Sequence, residues 1–326
     1  MATLTASDRM TALEILNRSS GENDDARKII EVMSATNEIL LDAPTTEAND
    51  GVVNTTVVRT KLPRAEHRIY NNGVGEGTSQ TDVVHDYKCE IAMYSNTDVK
   101  LIQHAKNPAD ILWSESRGIL EGMGQEQAED IVYGNHSVDP AYMDGFATRR
   151  NKIDNELCLS GGGLQAASGS LTSIYICKWG MNKMHMFYPR GASGIGVTKK
   201  DKGIQTVTGQ NGKSMEAYQL YFDAEYGLSV RDPRALIRIA NINLSTVNAV
   251  DIVKMILKAK RKLPQGDGTI SILCGSEILG LMDVAAMEKN NVLYNAEDPW
   301  GRELLKIRDM RLRQVDAILT TEDYVA

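Results

Sequence analysis

The chain has 326 residues, 42% of them hydrophobic, 24% charged and 6% aromatic, with 36 basic against 43 acidic side chains and a net charge of -7. At about 150 residues per domain this length allows two domains, or one large domain with excursions, and the composition is globular, which excludes disordered and fibrous classes. No apolar run approaches the roughly 20 residues that cross a bilayer, so no membrane partner is expected, and the start MATLTASDRM lacks the basic and apolar parts of a signal peptide, which predicts a chain made in the cytosol.

Charge is unevenly spread. Residues 1–50 carry 4 basic against 10 acidic side chains and residues 96–145 carry 3 against 9, while residues 146–326 carry 24 against 19. No stretch forms a basic nucleic-acid arm, and the first fifty residues repel phosphate. Ser7–Asn17 reads as a short helix, capped by Ser7, with Met10, Leu13 and Leu16 on one face. A second helix is expected from Asn23 to about Leu41, before Pro44. From Gly51 the character changes: Val52, Val53, Thr55, Thr56, Val57 and Val58 read as strand, as does Tyr87–Met93, and Asn71–Gly77 between them is made of turn residues. The reading is a long two-stranded excursion with a flexible tip. Too little of it is apolar to form a core, and an isolated hairpin is marginal in water, so something outside its own domain must hold it.

Asn107-Pro108-Ala109-Asp110 opens a helix that runs to about Tyr133. Its Gly118, Gly122 and Gly124 each cost about 1 kcal/mol relative to Ala, so a close backbone approach or a bend is expected to compensate. After a loop over residues 134–169, strands are expected at Ser173–Trp179, Lys183–Tyr188, Glu216–Tyr226 and Ala235–Asn241. Val247–Lys262 is a helix whose cationic last turn suits its negative end. A buried strand Thr269–Cys274, a helix Ile278–Lys289 and a closing strand Arg311–Leu319 follow. The sum is an α+β chain with no internal repeat and no Pro-rich linker.

Cys89, Cys158, Cys177 and Cys274 stand far apart with no C-x-x-C, which predicts small buried hydrophobes rather than a zinc or redox site. His67, His85, His104, His136 and His185 form no metal-binding pair. Asp98, Asp110, Asp130, Asp139 and Asp144 scatter around the long helix and read as solvated surface, while Arg231, Arg234 and Arg238 suit a strand edge or subunit contact. Ser160-Gly161-Gly162-Gly163 reads as a hinge. Gly191-Ala-Ser-Gly194-Ile-Gly196 follows a strand, as the glycine turn of a dinucleotide-binding enzyme does, and so supports an alternative function, an NAD-dependent cytosolic oxidoreductase. That turn needs a helix directly after it to aim amides at pyrophosphate, and Val197–Gly203 has no apolar helical face. Gly73-Val-Gly75-Glu-Gly77 fails in the same way. No catalytic residue, cofactor-binding residue or metal ligand is assigned, and no cofactor is expected.

Several ordered motifs carry a resemblance. They are Ile131-Val-Tyr-Gly-Asn135, Asp139-Pro140-Ala-Tyr-Met-Asp-Gly145-Phe, Trp179-Gly180, Tyr188-Pro189-Arg-Gly191, Gly194-Ile-Gly196 and Lys202-Gly203, then Tyr226-Gly-Leu-Ser-Val-Arg-Asp232, Arg238-Ile-Ala-Asn241 and Val315-Asp-Ala-Ile-Leu319 with Glu322. Together, over about residues 5 to 325, the chain resembles the tailed-bacteriophage major capsid proteins with the Hong Kong 97-type fold, closest to those of epsilon-fifteen-like short-tailed phages. The resemblance implies an N-arm over residues 1–45, an E-loop hairpin over 46–95, a P-domain over 96–241 with its spine helix at 107–133, an A-domain over 242–318 and a C-terminal tail over 319–326.

It also implies a non-enzymatic shell subunit that self-assembles through pentamers and hexamers around a double-stranded DNA genome. Encapsulin-type compartments share the fold and stand as a further alternative. The implied partners are other copies of the chain, a scaffolding protein, a portal protein, a decoration protein and packaged DNA held by weak non-specific contact. The implied location is the virion, after synthesis in the host bacterial cytoplasm. Arg59, Arg64, Glu66 and Arg68 are the candidate inter-subunit contacts. Some members of the fold join an E-loop lysine to an asparagine of a neighbour; Lys61 and Lys88 lie off the glycine-rich tip, so an uncrosslinked shell is expected.

Overall fold

The structure, a computed structural model, describes residues 37–103, 107–192, 194–209, 212–288 and 306–326, with the backbone alone at 284–288 and 306. These fall into two units. The larger lies within Thr36–Cys89, Ala128–Ile195 and Tyr226–Ala326, and the smaller takes Glu90–Gln127 and Gly196–Glu225.

In chain order, a 3-10 turn at Ile39–Leu41 precedes β1 (Thr45–Glu47) and β2 (Val53–Lys61). β3 (Gln80–Asp98) returns antiparallel to β2 and runs on past Cys89 into the smaller unit, where α1 (Val99–Gln103) and the long α2 (Pro108–Tyr133) follow. From Ala128 the chain is again in the larger unit, with α3 (Phe146–Arg149), β4 (Cys158–Ser160), β5 (Thr172–Trp179) and β6 (Met184–Tyr188). β7 (Thr198–Thr208) and β8 (Ser214–Val230) come next, then β9 (Leu236–Ile242), α4 (Ala249–Lys260), β10 (Thr269–Cys274), α5 (Ser276–Glu288), β11 (Lys306–Ile307) and β12 (Met310–Gln314).

The larger unit is built outward from β5, which is buried along its whole length. β10 and β9 flank it, both antiparallel, so Ile176 stands opposite Ile272 on one side and Ile237 on the other. β12 continues the sheet beyond β10 in parallel, and β4 does so beyond β9. One face of this sheet packs Ile174, Ile176, Ile239 and Ile272 against Ile252 and Ile256 of α4 and Ile278 and Met282 of α5. These β-branched strand residues fill a pleated surface well, and the helices bring their apolar stripes to it. From β5, Tyr175 and Trp179 meet the buried Phe146 ring of α3, at centroid distances of 5.5 and 6.5 Å. A second ribbon, β1-β6-β8, joins β5 through the Trp179–Met184 pair. In it Gly227 faces Phe187 so closely that a Cβ would overlap the ring.

In the smaller unit, β7 and β8 form an antiparallel hairpin running from Thr198 opposite Asp223 to Thr208 opposite Ser214. Tyr221 carries the Lys200 and Lys202 ammonium groups over its ring at 5.5 and 5.8 Å and meets the Tyr94 ring of β3 at 4.6 Å. Gln219 donates to Asn96 at 2.9 Å, and Lys199 reaches the buried Ser116 hydroxyl of α2 at 3.0 Å.

Most expected elements are present, with differences. The loop expected over residues 134–169 contains α3 and β4, and β1, α1 and β11 are short elements that the sequence pattern does not mark. Thr198–Thr208 is a strand where none was expected: its side chains are nearly all exposed, so no apolar alternation marks it. The end of the expected Asn23–Leu41 helix is a bridge at Asn37 and a 3-10 turn, and the strand from Arg311 stops at Gln314. Ser160–Gly163 is not a hinge, because the Gly161 and Gly163 amides donate to the carbonyls of Ala240 and Asn241 at 2.6 and 2.7 Å and a Cβ at either glycine would collide with β9. A Cβ at Gly118, Gly122 or Gly124 would meet nothing within 4 Å, so no close approach explains these glycines. The helix expected at Ser7–Asn17, that from Asn23 as far as Thr36, and His104 lie outside the described residues.

Two glycines of opposite kind give a test. Gly122→Ala should stabilise the unassembled subunit by about 0.5–1 kcal/mol, since a helical Cβ meets open space. Gly227→Ala should destabilise it by about 1–3 kcal/mol through overlap with Phe187. Denaturant melts of the two variants should move in opposite directions; a shift of the same sign would contradict the packing described.

Candidate functional site

The β2–β3 hairpin has no core at its far end: its connecting loop, residues 62–79, carries no regular structure and is exposed throughout. Arg59 sits near the end of β2 opposite Thr81, and Arg64, Glu66 and Arg68 lie in the loop, all exposed. The structure does not gather these four into one cluster. The Glu66 carboxylate accepts from the Gly75 amide at 3.4 Å, and Arg68 Nε donates to the Asn72 carbonyl at 3.1 Å across a turn where Asn71 takes positive φ. Apolar side chains are also left in water here: the cross-strand pair Val57 and Val83, then Leu62, Ile69, Val74 and Tyr70, the last 94% exposed.

The root of the arm is the reverse. Asn54 and Asp86 stand opposite one another, and both are buried. Asn54 Nδ2 donates to the Ser229 hydroxyl at 2.7 Å. Arg149, at the end of α3, donates to Asp86 Oδ1 at 2.8 Å, to the Leu228 carbonyl at 3.0 Å and to the Asp144 carbonyl at 3.0 Å. On the other face Tyr87 stacks on His136 with centroids 4.1 Å apart, and the Thr55 hydroxyl is hydrogen-bonded to His85 at 3.1 Å. His185, opposite Ser229, is fully buried. Both of its ring nitrogens, Asn54 Oδ1 and Asp86 Oδ2 have no hydrogen-bond partner. Burial, with the Arg231 guanidinium adding to it, pushes the His185 pKa down to about 4 although Asp86 pulls the other way.

None of these root residues stands out in the sequence. The one signal is Asp86 itself, a charge at an inward strand position in Val84-His85-Asp86, which implies a partner without naming it. Other polar assignments change too. Asp130 is buried, not solvated: it accepts from the Tyr226 hydroxyl at 2.6 Å and the Cys89 thiol at 3.3 Å, and burial raises its pKa despite those bonds. Arg238 is not at a surface edge; its guanidinium is buried and pairs with Glu322 at 2.9 Å, while Glu322 also accepts from Tyr133 at 2.6 Å and from Ser173. Arg234 pairs at the surface with Asp232. The Asp42 side chain is wholly buried between Arg311 and Arg313, and their hydrogen bonds with that of Ser271 outweigh burial and hold its carboxyl near 2. The four cysteines are buried and free.

The Gly191–Gly196 loop leads into strand β7, not a helix, and its Gly191 amide donates to the Glu47 carboxylate at 3.3 Å. A carboxylate there repels pyrophosphate, which overturns the dinucleotide reading. Among the described residues no group of three or more His, Cys, Asp or Glu could hold a metal ion, and no helix is long and apolar enough to cross a membrane.

Comparison with known proteins adds a second line. The family model described as major capsid protein GP7 matches residues 21–326. The near-atomic cryo-EM structure of bacteriophage epsilon15 contains a chain 27% identical to this one, with a TM-score of 0.76 over 99% of each chain. The capsid of bacteriophage JBD30 matches at a TM-score of 0.51 and 10% identity, over 95% of this chain and 99% of that one, which is a likeness of fold alone. No curated protein matches.

The buried charges give two tests. His185 titrates near 6.5 in the unfolded chain but near 4 in the folded one, so below 6.5 the unfolded chain takes up a proton the folded chain refuses. Stability is then full above pH 6.5 and falls as pH drops from 6.5 through 4, by about 3 kcal/mol. In His185→Gln this part of the acid loss should vanish in melts compared at pH 7, 5.5 and 4; an unchanged slope would contradict it. Glu322→Ala, which leaves Arg238 buried without its partner, should cost about 3–5 kcal/mol at neutral pH.

Proposed function

The chain belongs to the major capsid protein GP7 family and is a shell-forming subunit of a bacteriophage capsid, and from that premise we propose that the β2–β3 arm is the element by which each subunit grips its neighbours. The α+β fold is of the Hong Kong 97 type, and neither an oxidoreductase nor an encapsulin-type compartment is favoured. The observation that carries the proposal is the contrast along the arm: a buried, charge-paired root and a far end that leaves Val57, Leu62, Ile69 and Tyr70 in water. Such surface is unsatisfied in a lone subunit, and repeated head-to-tail contacts of this kind close rings.

In this reading residues 1–45 are the N-arm, 46–95 the E-loop, 96–241 the P-domain with its spine helix, 242–318 the A-domain and 319–326 the tail. Arg59, Arg64, Glu66 and Arg68 form ionic contacts with neighbours. Each exposed pair contributes only about 0–1 kcal/mol, so their effect comes from repetition around the shell. The subunit has no catalytic role, is made in the host bacterial cytoplasm, and works with a scaffolding protein, a portal protein and a decoration protein. The acidic first fifty residues favour weak, non-specific DNA contact, so a portal motor drives packaging. Lys61 and Lys88 stay uncrosslinked.

Limited trypsin digestion tests the central claim. Unassembled subunits should be cut at Arg64 or Arg68, and shells formed with scaffold should be spared there. Mature shells boiled in detergent should give one band near 35.9 kDa. Equal protection in both states would show that the arm is held by its own chain, and a reductant-resistant ladder would contradict the uncrosslinked shell.

A further inference from the structure

We propose that Arg149 and Asp86 form a pin that fixes the direction in which the β2–β3 arm leaves its unit, and that this pin sets how uniformly subunits assemble. The inference rests on the reading of the arm as an inter-subunit element.

The arm emerges at one place. Asn54 and Asp86, directly opposite each other, are the last buried pair along it; Thr56 and Val84 are half-buried, and beyond Val58 and Asp82 every side chain is exposed. From this fulcrum to Lys61 is seven residues, about 23 Å at a strand rise of about 3.3 Å per residue. Angular play of about 10° at the root therefore moves the far end by about 4 Å, more than a hydrogen bond tolerates. Direction has to be fixed at the root, because no described residue beyond it is buried.

Arg149 is built for that. Its planar guanidinium makes short, directional bonds to three separate elements: Asp86 of β3, the Leu228 carbonyl of β8 and the Asp144 carbonyl of the preceding loop. Its own base is fixed in turn. The Arg149 amide donates to Gly145 at 3.1 Å, the Gly145 amide and the Thr148 hydroxyl both donate to the Gly134 carbonyl at 2.9 and 2.7 Å, and Phe146 is fully buried.

Stability alone does not account for this polarity. A buried ion pair is often no better than apolar residues of the same volume, and this root also leaves Asn54 Oδ1, Asp86 Oδ2 and both His185 nitrogens unpartnered. What charge supplies that an apolar contact cannot is a defined angle.

The test is the double variant Asp86→Leu/Arg149→Met, which removes the pair without leaving a lone charge. Spin labels go on exposed sites, Thr81→Cys on the arm and Lys152→Cys on the larger unit, the native thiols being buried. In unassembled full-length subunits the melting temperature should be unchanged or higher, and the 81–152 distance distribution by pulsed EPR should broaden roughly twofold. In electron micrographs of assembly with scaffold, the shells should lose their single diameter. An unbroadened distribution overturns the pin. Broadening with shells still uniform shows that the pin fixes the arm but does not set the uniformity of assembly, which overturns that link; the inter-subunit reading falls separately, if Arg64 and Arg68 are equally protected from trypsin in free and assembled subunits. If the double variant does not fold, Arg149→Lys keeps the charge and loses the fork; it should show partial broadening, and a wild-type width there overturns the pin.

Discussion

Asp86 and Arg149 meet where a ribbon with no core of its own leaves a unit with a dense one. A two-stranded hairpin has two faces and nothing to cover either, so it persists only if one end is gripped by something rigid. The larger unit supplies that grip with β8, α3 and the loop before it, while its apolar mass lies elsewhere, between β5, β9, β10 and the two helices. Packing and projection are thus handled by different chemistry. Interdigitated isoleucines hold the sheet without regard to fine angle, and a few hydrogen-bonded charges hold the arm with strict regard to it.

The same division explains the other buried charges. Asp42 binds two arginines of β12, so the segment before β1 is tied to the far edge of the sheet. Glu322 gathers Arg238, Tyr133 and Ser173, so the residues after β12 are tied to its middle. Asp130 holds Tyr226 and Cys89. In the first two cases a segment outside the sheet is fastened to it by one carboxylate, and in the third a helix is joined to two strands; each pairing is costly to break once formed.

Much of the fold is legible in the sequence because local and global preferences agree there. Thr269–Cys274 is apolar enough that its strand ends match the structure, and Asn107-Pro108 marks the start of the long helix. β7 was hidden because Lys199, Lys200 and Lys202 lie on a solvated edge, where pairing with β8 rather than apolar alternation makes the strand. The arm is visible as two β-branched runs around a glycine-rich turn, and its charged tip residues can be named. Its seat cannot: Arg149 lies 63 residues from Asp86, and an arginine in Ala147-Thr148-Arg149-Arg150 looks like any surface arginine. Asp130 and Arg238 misled for the same reason, since burial of a charge is decided by a distant partner that spacing does not reveal.

Glu322 also has a consequence in time. It lies 84 residues after Arg238, and at synthesis rates of about 5–20 residues per second the partner arrives roughly 4–17 seconds later. Until then Arg238 cannot enter the interior without an uncompensated charge, and Tyr133 and Ser173 lack the acceptor they share. The three donors thus depend on one acceptor made later than any of them, so a chain cut short before Glu322 should carry Arg238 as a charge that its interior does not neutralise.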